Sequence, residues 1–404
     1  MKWIPILIAA GSLALASSAA ALNATPAIIS VDKLGGASFD TGDAIAVLDD
    51  GSAYVAGTAQ SKAVRGHPSH GQSDVFLARY SAKGKLRWLR MIGTQDSEFA
   101  PTVAVAPDGA AIVAGIVSLG DPKREEKRKG FVVRVTPAGT VEWSVDIPAA
   151  YRVSAVATGE TGEVYVAGAV QGKPANGFDL FVSKLTSHGK AAWQRQIEAT
   201  SADAGTALLP TPEGILVAGF ANDGTFMGHE TGSGEGIGFV LPFDTDGTPG
   251  EPTIVQQGVF VIPQAMTSAA DGAFALSGTV SYRDGSSRLM VAKLDANRIA
   301  QWLRTYAGPG LAEGRGIAAG SRGSLYVAGT ARFGTDYQAA LWHIGGSGRL
   351  LASRFDGDTA PDVFNALGVH GDTAWAAGYS DGTFGGAPPK GVGDALIVRY
   401  RVSG

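Results

Sequence analysis

The segment GSAYVAGT (Gly51–Thr58) recurs almost unchanged as GSLYVAGT (Gly323–Thr330). Five further relatives of its YVAGT core bring the total to seven, with glycines at Gly57, Gly115, Gly168, Gly219, Gly278, Gly329 and Gly378. The steps between them are 58, 53, 51, 59, 51 and 49 residues. A chain repeating at this period is an array of supersecondary units, each burying its faces against its neighbours. Every copy carries four segments. A short apolar stretch such as AIAVLDDG leads to a turn with glycine at its tip: Gly51, Gly109, Gly162, Gly214, Gly272, Gly323 and Gly371. The VAG segment follows, then a variable loop, then an alternating stretch such as DVFLARY from Asp74 or DLFVSKL from Asp179. A second turn leads to a fourth stretch, LRWLRMI (Leu86–Ile92) in the first copy, with Trp88, Trp143, Trp193 and Trp302 at one offset. Glycine tips reached through φ > 0 mark tight hairpins. Four antiparallel strands every fifty-odd residues predict an all-β fold, a seven-bladed propeller of four-stranded blades.

The seventh copy ends at RYRVSG after its third strand. Its missing strand lies at the other end of the chain, in AIISVDKLGG (Ala27–Gly36), whose LGG parallels MIG (Met91–Gly93). The N-terminal strand is therefore expected to complete the last blade and close the ring.

The pattern DAIAVLDDGSAYVAGT…DVFLARYSAKGKLRWLRMIG resembles the bacterial seven-bladed β-propeller repeat, over essentially all of residues 27–404. The resemblance implies an exported or surface-displayed propeller with no generally assigned activity. Where the repeat has a leading acid, this chain has Asp43, but Pro101, Ser154, Gly205, Gln264, Arg315 and Asn365 stand at the matching positions. A ligand set built from seven equivalent acids is thus not available. Blade four lacks its tryptophan, and its second hairpin, FDTDGTPGEP, is irregular.

Met1-Lys2 followed by WIPILIAAGSLALA and SSAAALN reads as a signal peptide over residues 1–21, leaving residues 22–404 as the propeller domain. A periplasmic or secreted location follows. No later stretch reaches the roughly 18 apolar residues of a membrane helix. The chain has no cysteine, which excludes disulfides, thiolate metal sites and a cysteine nucleophile. A net charge of −4 gives no bulk attraction for nucleic acid.

Function is less legible. The first and second hairpins of each blade fall on one face; the long variable loops (Ala59–Ser73, Val117–Lys129, Gln171–Asn176, Ala221–Ile237 and Ser380–Gly393) fall on the other. Long loops on a rigid scaffold carry recognition, so the loop face is the candidate side. Asp43, Gln264, Arg315 and Asn365 should gather near the channel mouth, where the first strands begin. They are the candidate binding residues. One carboxylate is too few for paired-acid hydrolysis, and no G-x-S-x-G, H-E-x-x-H or P-loop motif occurs. No cofactor, metal or catalytic residue is assigned. His67 and His70 read as a solvated loop, and DPKREEKRKG (Asp121–Gly130) as a solvated charge run. The DGTF shared by Asp223–Phe226 and Asp381–Phe384 reads as turn chemistry rather than a calcium loop. The expectation is a monomeric, non-catalytic binding or scaffolding propeller for a protein, peptide or glycan. The alternative is an enzyme on the same fold, a quinoprotein-like dehydrogenase or a polysaccharide lyase.

Overall fold

A computed structural model describes residues 25–119, 128–148, 150–173, 177–232, 234–308 and 310–402. The expected signal peptide and most of the Asp121–Gly130 charge run lie outside the described residues. Seven four-stranded antiparallel sheets succeed one another along the chain. Their innermost strands are Asp40–Val47, Ser97–Val105, Ala150–Thr158, Asp203–Thr211, Phe260–Ser268, Ala312–Ala319 and Asp362–His370. The last blade is completed by Ala27–Leu34, which pairs with Asp394–Arg401 in a register running from Ala27↔Arg401 to Leu34↔Ala395. The protein is a seven-bladed β-propeller, closed by its N-terminal strand as the sequence predicts. No described helix is long and apolar enough to cross a membrane.

The VAG strands are unbroken apolar runs because both of their faces are covered by neighbouring blades. All seven residues of Ala53–Ala59 are buried, and Ala111–Ser118 is buried throughout. The core therefore consists of the seams between blades. Between the first two, Tyr54, Leu77 and Val75 pack on Val103, Val113 and Val133. The outer strands alternate, as Val141–Ile147 does, because only one of their faces is covered.

The outer-strand tryptophans lock successive blades together. Each indole Nε1 donates to a carbonyl in the next blade's outer turn: Trp88 to Pro137 (3.1 Å), Trp143 to Ser187 (3.1 Å), Trp193 to Thr245 (3.0 Å) and Trp302 to Gly346 (2.9 Å). Two residues beyond each acceptor stands a glycine at positive φ: Gly139, Gly189, Gly247 and Gly348. A Cβ there would lie 2.6–3.2 Å from the indole. The N-terminal strand has Ser30 at the tryptophan position. At that seam Arg399 takes over, donating to the carbonyl of Ala82 at 2.7 Å.

Candidate functional site

The seven VAG glycines do not sit in turns, and their backbone is ordinary extended strand. Each faces a β-bulge in the innermost strand of its own blade, as at Gly42/Ala44, Phe99/Thr102 and Val153/Ala155. The same bulge recurs at Gly205/Ala207, Pro263/Ala265, Gly314/Gly316 and Phe364/Ala366. A Cβ on the glycine would come within 1.8–2.3 Å of an inner-strand carbonyl in six blades, and 3.2 Å at Gly115. The missing side chain makes room for the bulge, and the bulge turns one extra residue out of the pairing ladder.

Those extra residues converge. Asp43, Pro101, Ser154, Thr206, Gln264, Arg315 and Asn365, one from each blade, line a single cavity of about 480 Å³ with Ala100, Arg152, Phe220 and Ile262. All four predicted binding residues are in it. They lie inside the innermost strands, at the bulge, rather than where those strands begin. Blade four needs a correction: its rim residue is Thr206, and Gly205 stays paired with Gly219. Blade four turns over two residues between Thr211 and Gly214, as blade seven does between His370 and Thr373. The shortening that places Asn365 applies to Thr206 as well. Arg152, Phe220 and Ile262 carry no sequence signal for this role, since they are the ordinary strand neighbours of the bulges.

The rim side chains also tie neighbouring blades together. Arg315 donates from Nη1 to Asn365 Oδ1 (2.8 Å), and from Nε and Nη2 to Glu313 Oε2 (3.2 and 2.9 Å). Asn365 donates across to the carbonyl of Gly42 (3.1 Å), and Thr206 Oγ1 to that of Pro263 (2.6 Å). Thr58 Oγ1 donates to Asp43 Oδ2 at 2.6 Å and accepts from the Ala100 amide at 3.1 Å. Withdrawal of Asp43 from bulk water pushes its pKa up to about 7, against the opposing bonds from Thr58 and Thr41. Its carboxyl therefore changes charge near neutrality. Ser154 Oγ is enclosed with no partner, while Arg152 is exposed and has no ion pair among the described residues. The arrangement is a shallow polar bowl with an uncommitted guanidinium and a titrating carboxyl.

The long loops share this face but fold down on the blades beneath them, the first of them reaching the closing strand, where Arg65 pairs with Asp32 and Val64 packs with Leu34. Ala63–Val64 pairs with His67–Pro68, and Gly224–Phe226 with His229–Thr231. The phenylalanines of the two DGTF segments are core plugs. Phe226 stacks on Phe239 at 4.3 Å between centroids, and Phe384 meets Phe364 edge-on at 6.0 Å. His67 is exposed, and His70 Nδ1 lies 3.6 Å from Asp74. Among the described residues no three His, Asp or Glu side chains are grouped to hold a metal ion.

No protein-family model matches the chain. Over 165 residues it is 27% identical to a regulatory protein, FlaEY, of Caulobacter vibrioides, an alignment covering 35% of this chain and 17% of that one. The chain thus spans less than a fifth of this curated relative. Among solved structures it is similar to an ulvan lyase, a polysaccharide lyase bound to a GlcA(1-4)Rha3S saccharide. That match has a TM-score of 0.54 at 13% identity, covering 92% of this chain and 96% of the lyase. It is also similar to the β-propeller domain of the Trilobed protease of Pyrococcus furiosus, which has an open velcro topology. There the TM-score is 0.50 at 9% identity, covering 91% and 98%. At these identities the likeness is one of fold.

Proposed function

We propose that this chain is an exported, non-catalytic binding propeller that takes a partner at the channel mouth on its long-loop face. The observation that carries the reading is the convergence of one bulged side chain from each of seven blades on one cavity. The rim is assembled from residue types that bind rather than transform. Its arginine and asparagine are engaged with each other, and its one central carboxyl has no second carboxyl beside it in the lining. Arg152, exposed and without an ion pair among the described residues, suits a partner that presents carboxylate or sulfate groups. The fold likeness to a lyase solved with an acidic saccharide makes acidic glycans the first ligands to test, with peptides second.

The test is capture from the native envelope, and from an acidic-glycan panel, with the purified propeller as bait. The unmodified protein should retain a ligand that an Arg152→Ala/Gln264→Ala variant loses. A ligand held equally by that variant, and lost only on substituting the hairpin face, would place recognition on the other side.

A further inference from the structure

Six seams place an outer strand against the outer turn of the next blade, and five of them are filled. Four receive a tryptophan Nε1 and the fifth receives Arg399, always on the carbonyl two residues before the turn's left-handed position. The seam between blades four and five is empty. At the tryptophan position blade four has the exposed Glu251, and its outer strand is only Thr253–Val255. The receiving turn, Asp295–Ile299, holds the same conformation, with Arg298 at φ 65 where four of the other turns have glycine beneath an indole. Its equivalent acceptor, the Ala296 carbonyl, meets no side-chain donor among the described residues. A slot of about 920 Å³ opens there on the hairpin face, walled by Leu209, Ile215, Pro242, Phe243, Phe274 and Ala296. Arg298 is half-buried at its edge, with Nε enclosed and unpartnered.

We propose that the seam between blades four and five is a docking slot for a partner protein's tryptophan with an acidic residue beside it. The occupant is read from the molecule itself, because four equivalent seams show what such a turn accepts. The apolar walls take the ring, and the Ala296 carbonyl takes the indole N–H. The partner's carboxylate answers Arg298, whose enclosed nitrogen would otherwise stay desolvated without a bond. Glu213 and Asp244 also border the slot. Asp244 Oδ1 accepts the amides of Asp246 (2.9 Å) and Thr248 (2.8 Å) within its own turn. The slot lies on the opposite face from the channel mouth, so it stands or falls independently of the function proposed there.

The test uses the whole propeller and two short capped peptides, one with Asp and one with Asn before a 5-fluorotryptophan, followed by ¹⁹F NMR. The Asp peptide should shift and broaden with the unmodified protein. Arg298→Gly should weaken the Asp peptide about tenfold, the scale of one charge-assisted hydrogen bond, and leave the Asn peptide unchanged. Glu251→Trp/Arg298→Gly rebuilds the internal lock and should abolish binding of both peptides without lowering the melting temperature. Should that variant misfold, Ala296→Glu at the exposed turn sets a carboxylate beside Arg298 and should exclude the Asp peptide. An unperturbed fluorine resonance with the unmodified protein overturns the proposal. So does undiminished binding of the Asp peptide to the folded double variant or to Ala296→Glu.

Discussion

Asp203 is 1% exposed at the seam between blades three and four, where its Oδ1 accepts the Leu180 amide at 2.7 Å and its Oδ2 has no partner. Burial drives its pKa from 3.8 to about 8; the Leu180 bond opposes the shift and the neighbouring Asp179 adds to it. The folded protein therefore holds this proton more tightly than the unfolded chain does. The resulting stability is complete below about pH 4 and is lost as pH rises through about 8. Glu98, desolvated beside Asp74, shifts the same way at the first seam, and Asp362 is raised to about 6 at the last. Asp203→Asn keeps the acceptor and removes the charge. It should exceed the unmodified protein in stability near pH 9, by an amount on the order of a few kcal/mol. Urea midpoints across the pH range read this directly, and a parallel pair of curves would refute it. At this scale the sequence was legible where an offset could be counted. The rim positions follow from their distance to the VAG glycine, except Thr206 and Asn365, where a shorter hairpin moves the count by one. Seam acids such as Asp203 look like strand-start residues in sequence, because what perturbs them comes from the next blade.

The closing strand is held by more than its ladder. Lys33 is 3% exposed, and its amino group donates to Ser380 Oγ (3.1 Å) and the Gly382 carbonyl (2.5 Å), with Asp394 at 3.8 Å. A lysine thus brings the N-terminal strand's own cation into an acidic corner of the last blade. Removing Ala27–Leu34 would bare the edge of Asp394–Arg401 and strand those acids without their counter-charge. The expected outcome is loss of soluble protein rather than a lowered melting point, and a soluble deletion with unchanged melting would contradict it. The truncated seventh copy made this pairing readable in sequence. The small hairpins inside the long loops were not readable, since two- and three-residue strands are too short to show a period.

At the scale of the whole ring, the two faces of the propeller are unequal: one gathers the bulged rim, the other the hairpins and the vacant seam. The vacancy was half visible, because blade four's missing tryptophan is plain in the sequence. The matching change, Arg298 for glycine, becomes meaningful only once blade five is set beside blade four. Residues 27 and 401 are paired at the spot where every other blade has its outer turn. Joining residue 402 to residue 26 by a short turn, and reopening the chain between Lys83 and Gly84, should give a permuted protein with the same blade order. Its far-ultraviolet circular dichroism should match the parent, and a failure to refold would show that closure requires the natural ends. The placement of those ends has a consequence for orientation. The described chain begins and ends beside the pairing of residues 27 and 401, on the hairpin side, so an anchor attached at either point would act as a stalk. A molecule so mounted holds its polar bowl outward and turns the tryptophan slot toward the support.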